Sequence, residues 1–333
     1  MPWKGETDPY RIWLSEIILQ QTRVEQGTSY YNKFITGFPS IKKLADAPEK
    51  EIFKYWEGLG YYSRCRNLIA TAKKIAIENK GRFPSSYTEI LALPGVGPYT
   101  AAAIASFAYG MPYAVVDGNV ERVLSRYFGI STPSGSGASK KLYAAMAEEL
   151  LDKKEPGIYN QAIMDFGATI CKPQNPVCET CILSKDCQAF NNGWTDQLPV
   201  KMPALSRKKR WLYYFIVPAG KDKIWIRERT GKDIWQNLYE FVLWETGKII
   251  PQEKLSRSAF FREKFGDLGK IDHISPAHHQ ILSHQAITGH FVHIRYVKAM
   301  PGMTGYQSVS RKKLRDFPFP KLISDYIQNF TTG

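Results

Sequence analysis

This sequence predicts a mostly helical first domain, a short basic linker and an α+β second domain. Three observations carry that expectation. Up to about residue 195 the chain reads as helices punctuated by Gly and Pro. From about residue 210 aromatic and β-branched residues gather in strand-like runs. Ahead of that change, four of the five cysteines crowd into residues 171–187. A chain of 333 residues also exceeds what one core usually serves. The expected division is residues 1–195, a linker over 196–209, and residues 210–333.

The first domain opens on DPYRIWLSEIILQQTRVEQGTSYYNKF, a long helical pattern behind an Asp-Pro start. Shorter helical stretches follow, among them KEIFKYWEGLG, YYSRCRNLIATAKKIAIENKG, PYTAAAIASFAYG, GNVERVLSRYFG and IYNQAIMDFGATIC. STPSGSGAS reads as a flexible loop. TDQLPVKMPALSRKKR combines two prolines with a basic cluster and reads as the linker. Beyond it WLYYFIVPAG, KIWIRER, EFVLWE and GHFVHIRYVKAM read as strands. QEKLSRSAFFREKFG and FPKLISDYIQNF read as helices.

The net charge of +14 suits a polyanionic partner, either nucleic acid or an anionic membrane surface; a merely basic enzyme is the plainer alternative. No apolar run approaches the roughly 20 residues a bilayer span needs. The opening MPWKGETDPY lacks the apolar core of a signal peptide. The expected setting is therefore cytosolic, or nuclear or organellar in a eukaryote. No cysteine follows Cys187, so a secreted disulfide framework is not expected.

The spacing Cys171, Cys178, Cys181, Cys187 puts four thiols on one short loop. Zinc usually takes two close pairs, and only Cys178 and Cys181 form one. A 4Fe-4S cluster suits the uneven loop better, with zinc and plain structural thiols as alternatives. In LALPGVGPYT, Gly95 and Gly97 follow Leu93 in a tight turn between two helices. Its amides and the next helix start offer a phosphate site, though an ordinary αα-turn has the same spacing. Glu16 is a lone carboxylate on an apolar helix face, a setting that keeps a carboxyl protonated longer. Asp117 directly precedes a helix start and reads as its N-cap.

LPGVGPYT, VVDGNV (115–120) and the four-cysteine loop, in that order, resemble the endonuclease III superfamily of helix-hairpin-helix DNA glycosylases. PWKGETDPYRIWLSEIILQQT and GLGYYSRCRNL narrow the resemblance to its adenine DNA glycosylases. The likeness spans nearly the whole chain, densely to about residue 195 and sparsely beyond. It implies a helical-barrel glycosylase domain with an iron–sulfur module, then a Nudix-like C-terminal domain. The implied activity is monofunctional base excision, hydrolysing the bond to an adenine flipped out from opposite 8-oxoguanine or guanine. The implied partner is double-stranded DNA holding that mispair, bound by a monomer. Lyase-competent members of the superfamily carry a lysine where this chain has Tyr99, so strand cutting is not expected.

The resemblance also assigns roles. Glu16 protonates adenine N7, an ionised Asp117 stabilises the sugar cation, and Tyr99 and Asn119 position these groups and the water. Gln21 fills the vacated stack. Tyr61 wedges beside the opposite base, core packing being the alternative for Tyr61 and Tyr62. Lys4 stands where the family commonly has arginine, which loses the planar fork. The family places a helix ahead of the Pro-Trp pair that opens this chain, so a late start or a shortened chain is expected. Ser283 and His284 in LSHQ match a Phe-Ser-His loop that probes 8-oxoguanine, with leucine in place of phenylalanine. No Glu-rich Nudix box is present, so the second domain reads as a recognition module. All six histidines lie between 273 and 293; a metal site there is the sharper but weaker reading. Two rivals stay open: a pyrimidine glycosylase/lyase of the same fold, and a non-enzymatic iron–sulfur DNA-binding protein.

Overall fold

In the computed structural model, which describes residues 4–203, 206–296 and 302–330, helix α1 (Pro9–Leu19) starts where Asp8 caps it. The Asp8 carboxylate accepts the Tyr10 N–H at 2.9 Å, and Pro9 occupies the first helical position. Pro2 and Trp3 of the opening motif, and Val297–Met300 at the end of the last strand-like run, lie outside the described residues.

The long N-terminal helical pattern is two helices rather than one. After α1 the chain breaks at Gln21, whose φ is 57°, and resumes as α2 (Val24–Gly37). Gly27 lets the two helices touch, since a Cβ there would lie 2.6 Å from the Leu19 side chain. No Gly or Pro marks the break, so periodicity alone ran through it. Next come α3 (Ile41–Asp46), α4 (Glu49–Trp56), α5 (Tyr62–Glu78), α6 (Tyr87–Leu91) and α7 (Pro98–Tyr109). Then follow α8 (Gly118–Phe128), α9 (Gly137–Leu150), α10 (Pro156–Thr169) and α11 (Gln188–Asn191). Five alanine or isoleucine residues of α7, Ala101–Ala105, are almost fully buried. Their small side chains let α1, α6 and α10 pack closely on α7, which brings the first turn of α7 up to the inner face of α1.

The chain divides into two compact units, Met1–Ala47 with Arg66–Ala204 and Pro48–Cys65 with Leu205–Gly333. The sequence groups residues 48–65 with the helical domain; in the fold they cluster with the second unit. Specific bonds tie them there. Lys54 Nζ donates to the Phe317 carbonyl at 3.3 Å, and the Glu57 carboxylate accepts the Phe319 N–H at 3.1 Å. Such long-range polar ties leave no trace in local periodicity.

The second unit also contains β1 (Lys208–Ile216), β2 (Lys223–Glu228), β3 (Tyr239–Glu240) and β4 (Val242–Thr246). After α12 (Gln252–Leu255) and α13 (Ala259–Phe265) come β5 (Gly269–Ile274), β6 (His278–Ile281), β7 (Gln285–Tyr296), β8 (Gln307–Ser310) and α14 (Lys321–Phe330). The larger sheet runs β4-β1-β7-β5, with β6 also paired to β7. Only β1 and β7 are parallel in it. From Leu212 to Ile216 every residue of β1 is buried, which explains its continuous apolar run. EFVLWE splits into β3 and β4, which join different sheets. QEKLSRSAFFREKFG splits into α12 and α13: the Ser258 hydroxyl donates to the carbonyl of Leu255, the last residue of α12, at 2.7 Å and caps α13 by accepting the Phe261 N–H. β5, β6 and β8 carry no strong strand signal; pairing with β7 and β2 decides them. Among the described residues no helix is long and apolar enough to cross a membrane.

Candidate active site

Glu16 sits on the inner face of α1 at 7% exposure. Burial pushes its carboxyl up to about 7; a hydrogen bond from Tyr99 opposes the shift and the Asp117 charge adds to it. Tyr99 lies in the first turn of α7, behind Pro98. Its hydroxyl is held well above its ordinary value by burial and then by Glu16 and Asp117, so it remains a donor. Gln20 Nε2 donates to Thr100 Oγ1 at 3.2 Å and pins the end of α1 to the same turn. Glu16 and Tyr99 line a cavity of about 480 Å³ whose other walls include Ile12, Ser15, Phe107 and Met164. That is ample for a planar base.

Asp117 caps α8, as its position before Gly118 predicts. Its Oδ1 accepts the Asn119 and Val120 N–H groups, each at 2.8 Å, and its Oδ2 accepts Asn119 Nδ2 at 2.7 Å. An acceptor-only carboxylate satisfies all three donors.

Sequence reasoning passed over Arg122. Its guanidinium donates to Asn119 Oδ1 at 2.9 Å, to the Gly167 carbonyl at 2.6 Å and to the Cys171 carbonyl at 2.7 Å. It therefore fixes the amide that in turn holds Asp117, and joins it to the start of the cysteine loop. The available signal was an arginine on the buried face of α8 beside Val120 and Val123. Gly167 is equally silent in sequence. A Cβ there would lie 2.8 Å from the Asn119 Cβ and 2.9 Å from its carbonyl oxygen. Gly167→Ala is expected to displace Asn119, destabilise the fold by about 1–3 kcal/mol and slow base release. Urea denaturation alongside single-turnover kinetics checks both effects.

Residues 14–149 match the HhH-GPD superfamily of base excision DNA repair proteins, and residues 213–329 match the NUDIX domain. The adenine DNA glycosylase of Buchnera aphidicola subsp. Acyrthosiphon pisum (strain APS) is 34% identical over 287 residues, 83% of this chain and 81% of its own length. The chain belongs to the adenine DNA glycosylase family. The Homo sapiens adenine DNA glycosylase is 41% identical over 208 residues, 60% of this chain and 38% of that one. A thermostable thymine-DNA glycosylase structure superposes with a TM-score of 0.52 at 34% identity, covering 58% of this chain and 88% of that one. A non-covalent endonuclease III–DNA complex shares the fold at 24% identity and a TM-score of 0.50.

The other residues assigned from the adenine DNA glycosylase resemblance fall as follows. α6, the Leu93–Gly97 turn and α7 form the hairpin. Gly95 has a φ of 75° and lies so close to Asn67 that a Cβ would meet it at 2.6 Å. Leu93 is 4% exposed, so its side chain belongs to the core and only backbone is left to face a ligand. Gly97 caps α7 without a side-chain bond, so the Tyr99 and Thr100 N–H groups, the first that α7 offers after Pro98, carry no side-chain cap. Gln21 is exposed on left-handed backbone just past α1. Lys4 pairs with Asp165 at 2.5 Å, beside the cavity that Asp165 helps line.

Tyr61 and Tyr62 part company: Tyr62 is core, whereas Tyr61 is 40% exposed with a φ of 44°. The Tyr61 hydroxyl hydrogen-bonds Ser283 Oγ. Ser283 and His284 are both exposed on the turn between β6 and β7, where the His284 carbonyl accepts the Lys208 N–H at 2.9 Å.

Cys171, Cys178, Cys181 and Cys187 line one small pocket of about 30 Å³. Arg126 Nη1 donates to Cys171 Sγ at 3.5 Å and the Leu183 N–H to Cys181 Sγ at 3.4 Å. Among the described residues no group of three or more His, Cys, Asp and Glu side chains is placed to hold a single metal ion. Four thiols lining one pocket, two of them accepting N–H donors, are a donor set of the kind that holds an iron–sulfur cluster. Two of the histidines of 273–293 pack on aromatic rings. His290 stacks on Tyr213 at 5.2 Å, and His278 meets the Phe291 and Tyr326 rings edge-on.

Proposed function

We propose that this chain hydrolyses the N-glycosidic bond of adenine paired with 8-oxoguanine or guanine in duplex DNA, leaving an abasic site. The observation that carries the reading is the meeting of Glu16, Tyr99 and Asp117 at one site, with the two carboxyls in opposed environments. The adenine leaves the stack for the cavity beside Glu16. Glu16, half protonated near neutrality, donates its proton to N7, so the base departs without a full negative charge. Positive charge develops on the sugar, and the Asp117 carboxylate faces it. Tyr99 holds Glu16 by its hydroxyl, and Arg122 through Asn119 holds Asp117. No amine occupies the Tyr99 position, so water rather than a Schiff base completes the reaction.

Gln21 fills the gap left by the adenine, and Tyr61 with Ser283 meets the opposite base. The open amides of the hairpin and of α7 grip backbone phosphate. A duplex with adenine opposite 8-oxoguanine should yield adenine and a strand cut only after added alkali. A borohydride-trapped adduct would instead favour the lyase, and duplex binding without excision the non-enzymatic reading.

The four cysteines would hold a 4Fe-4S cluster, which would cross-link the 171–187 loop when bound. Arg122 and Arg126 anchor that loop through the carbonyls of Cys171, Lys172 and Pro173. Purified protein should carry about four iron and four sulfide per chain, and Cys178→Ser should lose them together with duplex affinity. Zinc in place of iron and sulfide would overturn the assignment.

A further inference from the structure

The turn Gly58–Tyr61 runs through left-handed backbone. Gly58, Gly60 and Tyr61 all have positive φ, at 91°, 77° and 44°. Left-handed backbone at a tyrosine persists only where its surroundings over-determine it. Within the turn, Trp56 Nε1 donates to the Gly60 carbonyl at 3.0 Å and the Gly58 N–H to Tyr62 Oη at 3.3 Å. At its far end, Tyr61 meets Ser283. At its near end stands Glu57, a residue to which no feature of the sequence draws attention.

Glu57 Oε1 accepts the Phe319 N–H at 3.1 Å and Ser324 Oγ–H at 2.5 Å. Its other oxygen pairs with Lys54, which also donates to the Phe317 carbonyl. Lys50 adds a cation over the Phe317 ring at 3.2 Å. Ser324 lies in the first turn of α14, where the helix dipole favours a carboxylate. Glu57 therefore fastens the turn to the start of α14 by two hydrogen bonds, with Lys54 of α4 as its ion-pair partner.

We propose that Glu57 is a positioning residue for discrimination of the base opposite the target adenine. By clamping Gly58–Tyr61 to α14 it keeps the Tyr61 hydroxyl in register with Ser283. The proposal rests on the assignment of Tyr61 and Ser283 to that base. Glu16, Tyr99 and Asp117 lie in the other compact unit, so loosening the clamp should degrade opposite-base preference and spare the chemistry.

The test compares the full-length wild type with Glu57→Gln, Ser324→Ala and Ser283→Ala. Two quantities are read: amide hydrogen exchange over residues 58–64, and relative affinity for duplexes bearing a non-hydrolysable adenosine analogue opposite 8-oxoguanine or guanine. Loss of a hydrogen bond to a charged group should raise the exchange rate and cut the affinity ratio, each by about ten-fold, in Glu57→Gln and more mildly in Ser324→Ala. In Glu57→Gln and Ser324→Ala, single-turnover excision from an adenine–guanine duplex at saturating enzyme should change by less than about two-fold. Should Glu57→Gln prove unstable, Ser324→Ala gives the same contrast. Unchanged exchange in both variants overturns the clamp. A ratio lost in Ser283→Ala but kept in Glu57→Gln overturns the positioning role alone. A ratio kept in Ser283→Ala overturns the assignment of the reader, and the role of Glu57 in reading falls with it.

Discussion

Glu16→Gln is expected to lower the single-turnover rate of adenine release by about 10²–10⁴-fold, the usual contribution of a general acid. The substitution keeps shape and hydrogen-bonding capacity but removes the transferable proton. The pH profile adds a second signature. Burial raises the Glu16 carboxyl to about 7, so the acid form prevails below that pH and is depleted above it. The wild-type rate should be level below about 7 and then fall about ten-fold per pH unit; the glutamine variant should lack that limb. Stability moves the opposite way. The folded value lies above the ordinary 4.5, so the native state holds the extra proton between 4.5 and about 7. Stability therefore declines as pH rises through that window, by at most about 3 kcal/mol once Glu16 is ionised. Glu16→Gln escapes this loss and should be more stable than wild type at pH 8, and little different below 4.5. Excision kinetics and urea denaturation across pH measure both. A glutamine variant excising adenine at the wild-type rate would end the acid assignment.

Asp117→Asn separates two roles that the sequence left superimposed. Asparagine caps a helix about as well as aspartate. Its side-chain oxygen can still accept the Asn119 and Val120 amides, while its NH₂ loses the bond from Asn119 Nδ2. Stability should fall by only about 1 kcal/mol. The rate should fall by about 10²–10³-fold, because the fixed negative charge facing the sugar is gone. A variant that excises normally would reduce Asp117 to a cap. One that unfolds would make the hydrogen-bond network, rather than the charge, its main contribution.

Much of the site was legible because its chemistry is local. Glu16 stood out as a carboxylate on an apolar face, and burial of that face is what raises its pKa. Asp117 announced itself as a cap through the residues beside it. The Gly95–Gly97 turn and the cysteine spacing are likewise short-range patterns. Arg122, Gly167 and Glu57 were not legible. Each acts through partners at least 45 residues away or through a contact that only packing creates. Leu93 was legible only as part of the hairpin motif; that its side chain is held in the core while Gly95 beside it is exposed is decided by packing.

By itself the sequence determined the two-part architecture and set Glu16, Asp117, Tyr99 and the four thiols in recognisable local patterns, their roles in excision being what the family resemblance implies. These follow from residue type and near-neighbour spacing, which the chain carries whatever its fold. Tertiary structure alone decided that the N-terminal pattern breaks at Gln21 and that residues 48–65 cluster with the sheet-bearing unit. It also decided that Tyr61 reaches Ser283 and that Arg122 ties the Asp117 network to the cysteine loop. The physical reason is packing. Lys54, Glu57 and Arg122 meet backbone groups far along the chain and Tyr61 meets a distant side chain, and hydrogen-bond partners across such separations have no period for a sequence to display.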